Sequence, residues 1–171
     1  MRLVQTDNLV FLRKKYIEVI EQTPDFMRNV RWIYGQHPKD EMIQDYMDNG
    51  EMYALMNGNE IAGMVAVVMH QDDKYKAVPW QVDLRNDEVA TIHILAICPE
   101  YQGKSLGIQL INQIEKLSKN NGKKAVRLDV LKSNIPAQKM YERAGYSLRG
   151  EQKLYAENTG ITDFLFYEKI F

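Results

Sequence analysis

The chain has a single cysteine, Cys98, in 171 residues. An intrachain disulfide is therefore excluded, and no Cys/His cluster offers the spacing of a zinc site, so no metal is expected. Long apolar runs are absent too. The longest, "IAGMVAVVM" at residues 61–69, is far too short to cross a bilayer, and no membrane partner is expected. The N-terminal "MRLVQTDNLVFLRKKY" lacks the apolar core and small-residue cleavage site of a secretory leader. Nor does charge of one sign dominate: 22 Lys and Arg face 23 Asp and Glu, for a formal net charge of -1. A nucleic-acid scaffold carries a broad basic surface, so no nucleic-acid partner is expected. Repeats, low-complexity tracts and linkers are also missing. The remainder is ordinary, with 45% hydrophobic and 26% charged residues. That composition and length suit one domain with a core of its own, here residues 1–171, and a cytoplasmic enzyme or binding protein.

"MRLVQT" reads as a first strand. Asp7 is placed to cap a helix running to about Gln22, with Leu9, Leu12, Tyr16 and Ile20 at helical spacing. A second helical region follows Pro24 and carries Phe26, Val30 and Ile33. "HPKDEMIQDYMDNG" reads as a short helix stopped by Gly50. Two apolar runs flank Asn57-Gly58, a strong hairpin signal because both positions tolerate positive φ. Residues 71–87 are polar with an embedded Pro-Trp and read as a loop.

"EVATIHILAIC" reads as a central strand. The helix after it buries Leu110, Ile111, Ile114 and Leu117 on one face, with Gly107 on that face one turn earlier. "AVRLDV" is a further strand. "NIPAQKMYERAG" is a short helix with Ala137, Met140, Tyr141 and Ala144 on one stripe, ended by Gly145. "YSLRGE" and "DFLFYEKIF" close the chain as strands. This order is mixed α/β.

The turn between central strand and helix, "PEYQGKSLG", admits three readings. A P-loop needs G-x-x-x-x-G-K-[ST], and its first glycine position is occupied by Cys98. A strand-to-helix turn also often holds Gly and a capping Ser with no ligand at all. The third reading joins the turn to the helix and strand beyond it. Gln102 and Gly107 match the ends of [Q/R]-x-x-G-x-[G/A], and Ser105 stands where glycine is usual. Further on, Asn134, Ala137, Met140, Tyr141, Gly145 and Tyr146 fit N-x-x-A-x-x-[LM]-Y-x-x-x-G-[FY].

These two motifs, at this mutual spacing, resemble the core of the GNAT superfamily, the Gcn5-related N-acetyltransferases. The resemblance implies an α/β fold of the α+β type. Its mixed central sheet would have about six to seven strands with a splayed central pair, flanked by about four helices. It implies acetyl-CoA as co-substrate. The cofactor-binding residues would be Leu95, Ala96, Ile97, Gln102, Gly103, Lys104, Ser105, Leu106, Gly107, Asn134, Ala137, Met140 and Tyr141. Physical chemistry points the same way, since unpaired N–H groups at a helix N-terminus suit a pyrophosphate. Ser105 is compatible with this turn if its φ is negative.

Acetyl transfer to an amine needs a seat for the thioester, a base for the ammonium and an acid for the departing thiolate. Main-chain groups near Leu95 and Ile97 would pair with the pantetheine arm and polarise the thioester carbonyl. By the resemblance Tyr141 is the acid. His93 on the central strand is the candidate base, with Glu88 as the alternative and ordered water as a third route. Each has a plainer reading: Tyr141 as a core aromatic, His93 as a buried histidine bonded across the sheet. Cys98 reads as a small buried residue. Asp72, Asp73, Asp83 and Asp87 are placed to attract a cationic acceptor or to form an exposed acidic loop. Trp80 would line an acceptor pocket or anchor that loop. The acceptor would be a small-molecule or peptide amine, and a homodimer is possible. A non-catalytic acyl-CoA-binding domain on the same fold is the alternative function.

Overall fold

The computed structural model describes all 171 residues. In chain order the elements are β1 (Arg2–Gln5), α1 (Leu9–Gln22), α2 (Phe26–Asn29), α3 (Asp40–Asp48), β2 (Met52–Asn57), β3 (Glu60–Val68), β4 (Val89–Ile97), α4 (Leu106–Asn120), β5 (Ala125–Leu131), α5 (Ile135–Arg143), β6 (Ser147–Ala156) and β7 (Gly160–Ile170). The strands form one sheet in the order β1-β2-β3-β4-β5-β7-β6. Only β4 and β5 run parallel. This is the expected α/β arrangement, with five helices where about four were expected. The extra one is the four-residue α2. No helix is long and apolar enough to cross a membrane, and no group of three or more His, Cys, Asp or Glu side chains could hold a metal ion.

Local chemistry explains most boundaries, and some fall beside the expected ones. Asn8, not Asp7, caps α1: its Oδ1 accepts from the Phe11 N–H at 3.0 Å. The tight turn of the β2–β3 hairpin is Gly58–Asn59, since Asn57 already pairs with Glu60. The chain after Val30 does not continue as helix and forms an irregular strap with an Ile33–His37 bridge. The last two strands are longer than expected and make a long hairpin turning at 157–159. Its outer half is polar and exposed, which hides it from hydrophobic patterning.

The core draws Leu12, Tyr16 and Val19 from α1, Ile43 from α3, and Leu110, Ile111 and Ile114 from α4 against the middle strands. Burying each such side chain is worth about 1.5–3 kcal/mol. The 71–87 segment has a small core of its own, Tyr75 and Val78 on Phe166. It is tied down by Arg127, which is 1% exposed and reaches Gln71 at 2.7 Å, the Val82 carbonyl at 2.8 Å and the fully buried Glu168 at 2.8 Å. Trp80 lies on that guanidinium at 4.3 Å. Of its two expected roles, Trp80 therefore takes that of the loop's anchor.

One irregularity organises the molecule. The β4–β5 ladder covers only Val89–Ile92. Beyond it the two strands part, as the splayed pair requires, while β4 keeps its pairing with β3 as far as Ile97. The β3–β4 register shifts between Met64 and Ala66. Opposite that shift Ile94 takes φ +43, a conformation that is an outlier for a β-branched residue. The buried Tyr16 hydroxyl donates to the Ile94 carbonyl at 2.8 Å and holds the kink in place.

Candidate active site

On the far side of the kink, β4 leads into a short 3-10 turn at Pro99–Tyr101 and then into α4. Cys98 N–H bonds to the Ala62 carbonyl at 2.9 Å. By strand alternation the N–H groups of Ile97 and Leu95 then face the open edge left by the splay. Gln102 braces this edge, donating from Nε2 to the Ile97 carbonyl at 2.9 Å and to Thr23 Oγ1 at 2.8 Å. The next turn is unusual. Gly103 has φ +74 and Ser105 φ +58, so the condition of a negative φ at Ser105 is not met. Two left-handed residues two apart fold the turn over α4, and the serine hydroxyl does not cap the helix. The first bond of α4 is Gln109 N–H to the Ser105 carbonyl at 3.3 Å. The amides of residues 103–108 bond to no group of the protein. Six consecutive free N–H groups at the positive end of a helix form an anion seat.

These amides edge a groove of about 520 Å³. Leu95, Ala96, Ile97, Gln102, Gly103, Ser105, Leu106 and Gly107 line one side, and Asn134, Ala137 and Met140 the other. Asn134 Oδ1 caps α5 through the Ala137 N–H at 3.2 Å. Gly107 lets α4 approach α5, because a Cβ there would lie 2.3 Å from Met140 Sδ. Two of the expected cofactor-binding residues do not line this groove: Tyr141, which lines the adjoining cavity, and Lys104. The Lys104 ammonium turns back to the Glu100 carbonyl at 2.8 Å. Lys139 and Arg143, one turn apart on α5, supply cations to the groove wall instead.

At Leu95 the groove meets a second cavity of about 270 Å³. Four consecutive residues of β4, Ile92 to Leu95, line it, which only the kink at Ile94 permits. Tyr141 enters it from α5. It is 6% exposed, its hydroxyl bonds to nothing in the protein, and burial followed by the Asp129 charge raises its pKa, keeping the phenol protonated. His93 enters from β4, with its Nε2 3.1 Å from Thr91 Oγ1. The Thr91 hydroxyl spends its one proton on the His70 carbonyl at 2.9 Å. Nε2 must therefore be the donor, which leaves Nδ1 with a free lone pair. Burial lowers the His93 pKa, Asp129 opposes that and Lys74 adds to it. The ring is thus held neutral, as a base must be.

Glu88 lies at the other end of β4, outside this cavity. It accepts from the Arg85 N–H at 2.9 Å and pairs with Lys124 at 2.5 Å, roles that fix a turn. Cys98 is fully buried, and burial pushes its thiol up to about 12. Of the loop's four acids only Asp72 reaches the cavity, and Trp80 stays outside it. Asp73 pairs with Lys76 and Asp87 with Arg85.

Comparison with known proteins decides the family. Residues 18–146 match the Acetyltransferase (GNAT) family. The chain belongs to it.

A Bacillus subtilis protein provisionally named ribosomal protein bS18-alanine N-acetyltransferase is 38% identical over 124 residues, covering 71% of this chain and 72% of its own. Two crystal structures share the fold at low identity. A GNAT-family acetyltransferase from Streptococcus agalactiae has TM-score 0.74 and 20% identity, covering 99% of this chain and 95% of that one. A Bacillus subtilis acetyltransferase in complex with CoA has TM-score 0.62 and 14% identity, covering 99% and 97%. In this GNAT chain Gln102, Ser105, Gly107, Asn134, Ala137 and Met140 of the two motifs gather at one groove, and Tyr141 lines the cavity next to it. The second cavity's wall holds residues that no motif marked: Trp32 and His37 of the strap, Tyr46 of α3 and Asp129 of β5. Asp129 shares its strand row with Arg127 on β5, an ordinary polar alternation that marks neither as a site residue.

Proposed function

We propose that this chain transfers an acetyl group from acetyl-CoA to a primary amine by direct attack within a ternary complex. The observation that carries this is the run of free amides at 103–108, beside a groove that leads along the open edge of β4 to Tyr141 and His93. The pyrophosphate would sit on those amides and the pantetheine along Leu95–Ile97. The CoA-bound Bacillus relative supports this choice of cofactor.

The acceptor ammonium gives a proton to Nδ1 of His93. The freed amine attacks the thioester carbon, and the carbonyl oxygen gathers charge facing the Leu95 and Ile97 N–H groups. Collapse breaks the C–S bond, and the Tyr141 hydroxyl protonates the leaving thiolate. The second proton lost by the new amide nitrogen restores the phenol. Isothermal calorimetry with acetyl-CoA and with ATP, then thiol release over a panel of amines, tests this reading. Binding of acetyl-CoA but not ATP, together with amine-dependent thiol release, is expected. ATP binding would restore the P-loop reading. Acetyl-CoA binding with no turnover on any amine would leave a non-catalytic acyl-CoA-binding domain.

A further inference from the structure

A third hollow, of about 380 Å³, adjoins the acceptor cavity, and the two share Tyr46, Asp72 and His93. Asp129 lines only the inner cavity and Glu51 only the outer hollow. Three carboxylates are therefore ordered along one path: Asp129 within, Asp72 at the junction beside His93, and Glu51 beyond. We propose that the acceptor is a linear amine bearing at least two ammonium groups, laid along this path with its reacting nitrogen between Asp129 and His93. The proposal rests on the acetyl-transfer reading and names its acceptor class.

The charge balance is the first support. Asp129 and Glu51 form no salt bridge within the protein, whereas the exposed Asp72 pairs with Lys74 at 3.8 Å. Asp129 accepts one hydrogen bond, from the Tyr75 hydroxyl, so its Oδ1 is positioned and its Oδ2 is left without a partner. Glu51 is half-buried, and burial raises its pKa, with Asp72 adding to the rise and His70 opposing it. A partly desolvated carboxylate without a cation, as at Glu51, is costly, and a bound polycation removes the cost.

The second support is independent of these acids. The Tyr141 hydroxyl, on a side chain 6% exposed, opens into the same cavity with no partner. At the junction the Tyr46 ring stacks on His93 at 6.0 Å and 12°, a flat apolar surface that suits a methylene chain and its ammonium ends. A peptide N-terminus brings one ammonium followed by neutral amides and would leave Glu51 uncompensated. A free amino acid brings a carboxylate into a path whose one lysine, Lys74, already stands by Asp72.

The test uses the intact chain with acetyl-CoA and four probes: n-butylamine, 1,4-diaminobutane, spermidine and an alanine-led peptide. Spermidine is expected to exceed n-butylamine in kcat/KM by about tenfold, the scale of one hydrogen-bonded charge pair. Glu51→Gln should lower the spermidine-to-butylamine ratio by about the same factor. Asp73→Asn removes an equal charge from the 71–87 loop, next to Asp72 but outside both cavities, and should leave the ratio unchanged. Equal wild-type rates for the two amines, a preference for the peptide, or an equal loss in Asp73→Asn would overturn the proposal. If acetyl-CoA binds and no amine is acetylated, the transfer reading fails. Calorimetric binding of spermidine to the acetyl-CoA-loaded chain, weakened about tenfold by Glu51→Gln, then decides the path by itself.

Discussion

The anion seat at residues 103–108 is built of main chain, while side chains from the end of α1 and from α2, such as Val19, Thr23 and Phe26, close the groove beside it. The amides, the free edge of β4 and the α5 cap come from two short stretches, 95–108 and 134–143. The adjoining cavity is built of side chains. They come from the strap after α2, from α3, from the 71–87 loop, from β5 and from the tip of the β6–β7 hairpin. An amide seat requires a backbone path, so few residue types can build it and its spacing is strict. A side-chain wall requires only that distant segments meet, so its residues can vary and need no fixed spacing.

The contrast can be broken from the acceptor side first. Arg127→Met leaves Glu168 buried without its main cation and releases Gln71 and Val82, the ties of the 71–87 loop. A cost of about 3–5 kcal/mol is expected, seen as a fall in Tm of roughly 10 °C. Below that Tm, amine turnover should drop while acetyl-CoA affinity measured by calorimetry stays within a few-fold. A matching loss of acetyl-CoA affinity would show that the two cavities are not built independently.

Next in size is Tyr141→Phe, which keeps the ring and removes a hydroxyl with no protein partner. We expect kcat to fall about 10²-fold, the lower end for general acid catalysis, with the acetyl-CoA Kd nearly unchanged. Turnover at the wild-type rate with chemistry rate-limiting would make Tyr141 a core aromatic.

Gly107→Glu tests the main-chain side. It sets a carboxylate near the anion seat and displaces Met140, so acetyl-CoA affinity should fall at least about tenfold. Gly107→Ala displaces Met140 without adding charge, and comparing the two by calorimetry separates repulsion from packing.

The smallest effect is expected at Ser105. A side chain at φ +58 carries left-handed strain, so Ser105→Gly should stabilise by about 0–1 kcal/mol after the extra freedom of glycine in the unfolded chain is deducted. A thermal melt reads this, and a lower Tm would show that the serine is not strained.

The same division governs what the sequence discloses. The central strand, the glycine turn, α4 and α5 were legible because apolar spacing and motif residues coincide there. Gln102, Gly103, Ser105, Gly107, Asn134, Ala137 and Met140 all line the groove as the motifs imply. Lys104 was misleading, since a charge in a phosphate-like loop says nothing of where its long side chain points. The positive φ of Ser105 was hidden because glycine was absent where glycine would have announced it. Asp129, Trp32 and Tyr46 had no local signature. Each looked like an ordinary strand, strap or helix residue until the fold brought them to one cavity. The Ile94 kink was equally silent, because a β-branched residue in an apolar run promises a regular strand.

That kink has a kinetic consequence. In the proposed transfer, a strand whose two halves line different cavities that meet at Leu95 gives each substrate a doorway of its own, and neither has to pass through the seat of the other. A two-substrate enzyme with separate doorways shows intersecting double-reciprocal plots and no covalent intermediate. Its dead-end inhibitors compete only with the substrate whose doorway they share. A desulfo analogue of CoA should therefore raise the apparent KM for acetyl-CoA and lower Vmax in the amine dimension without displacing the amine.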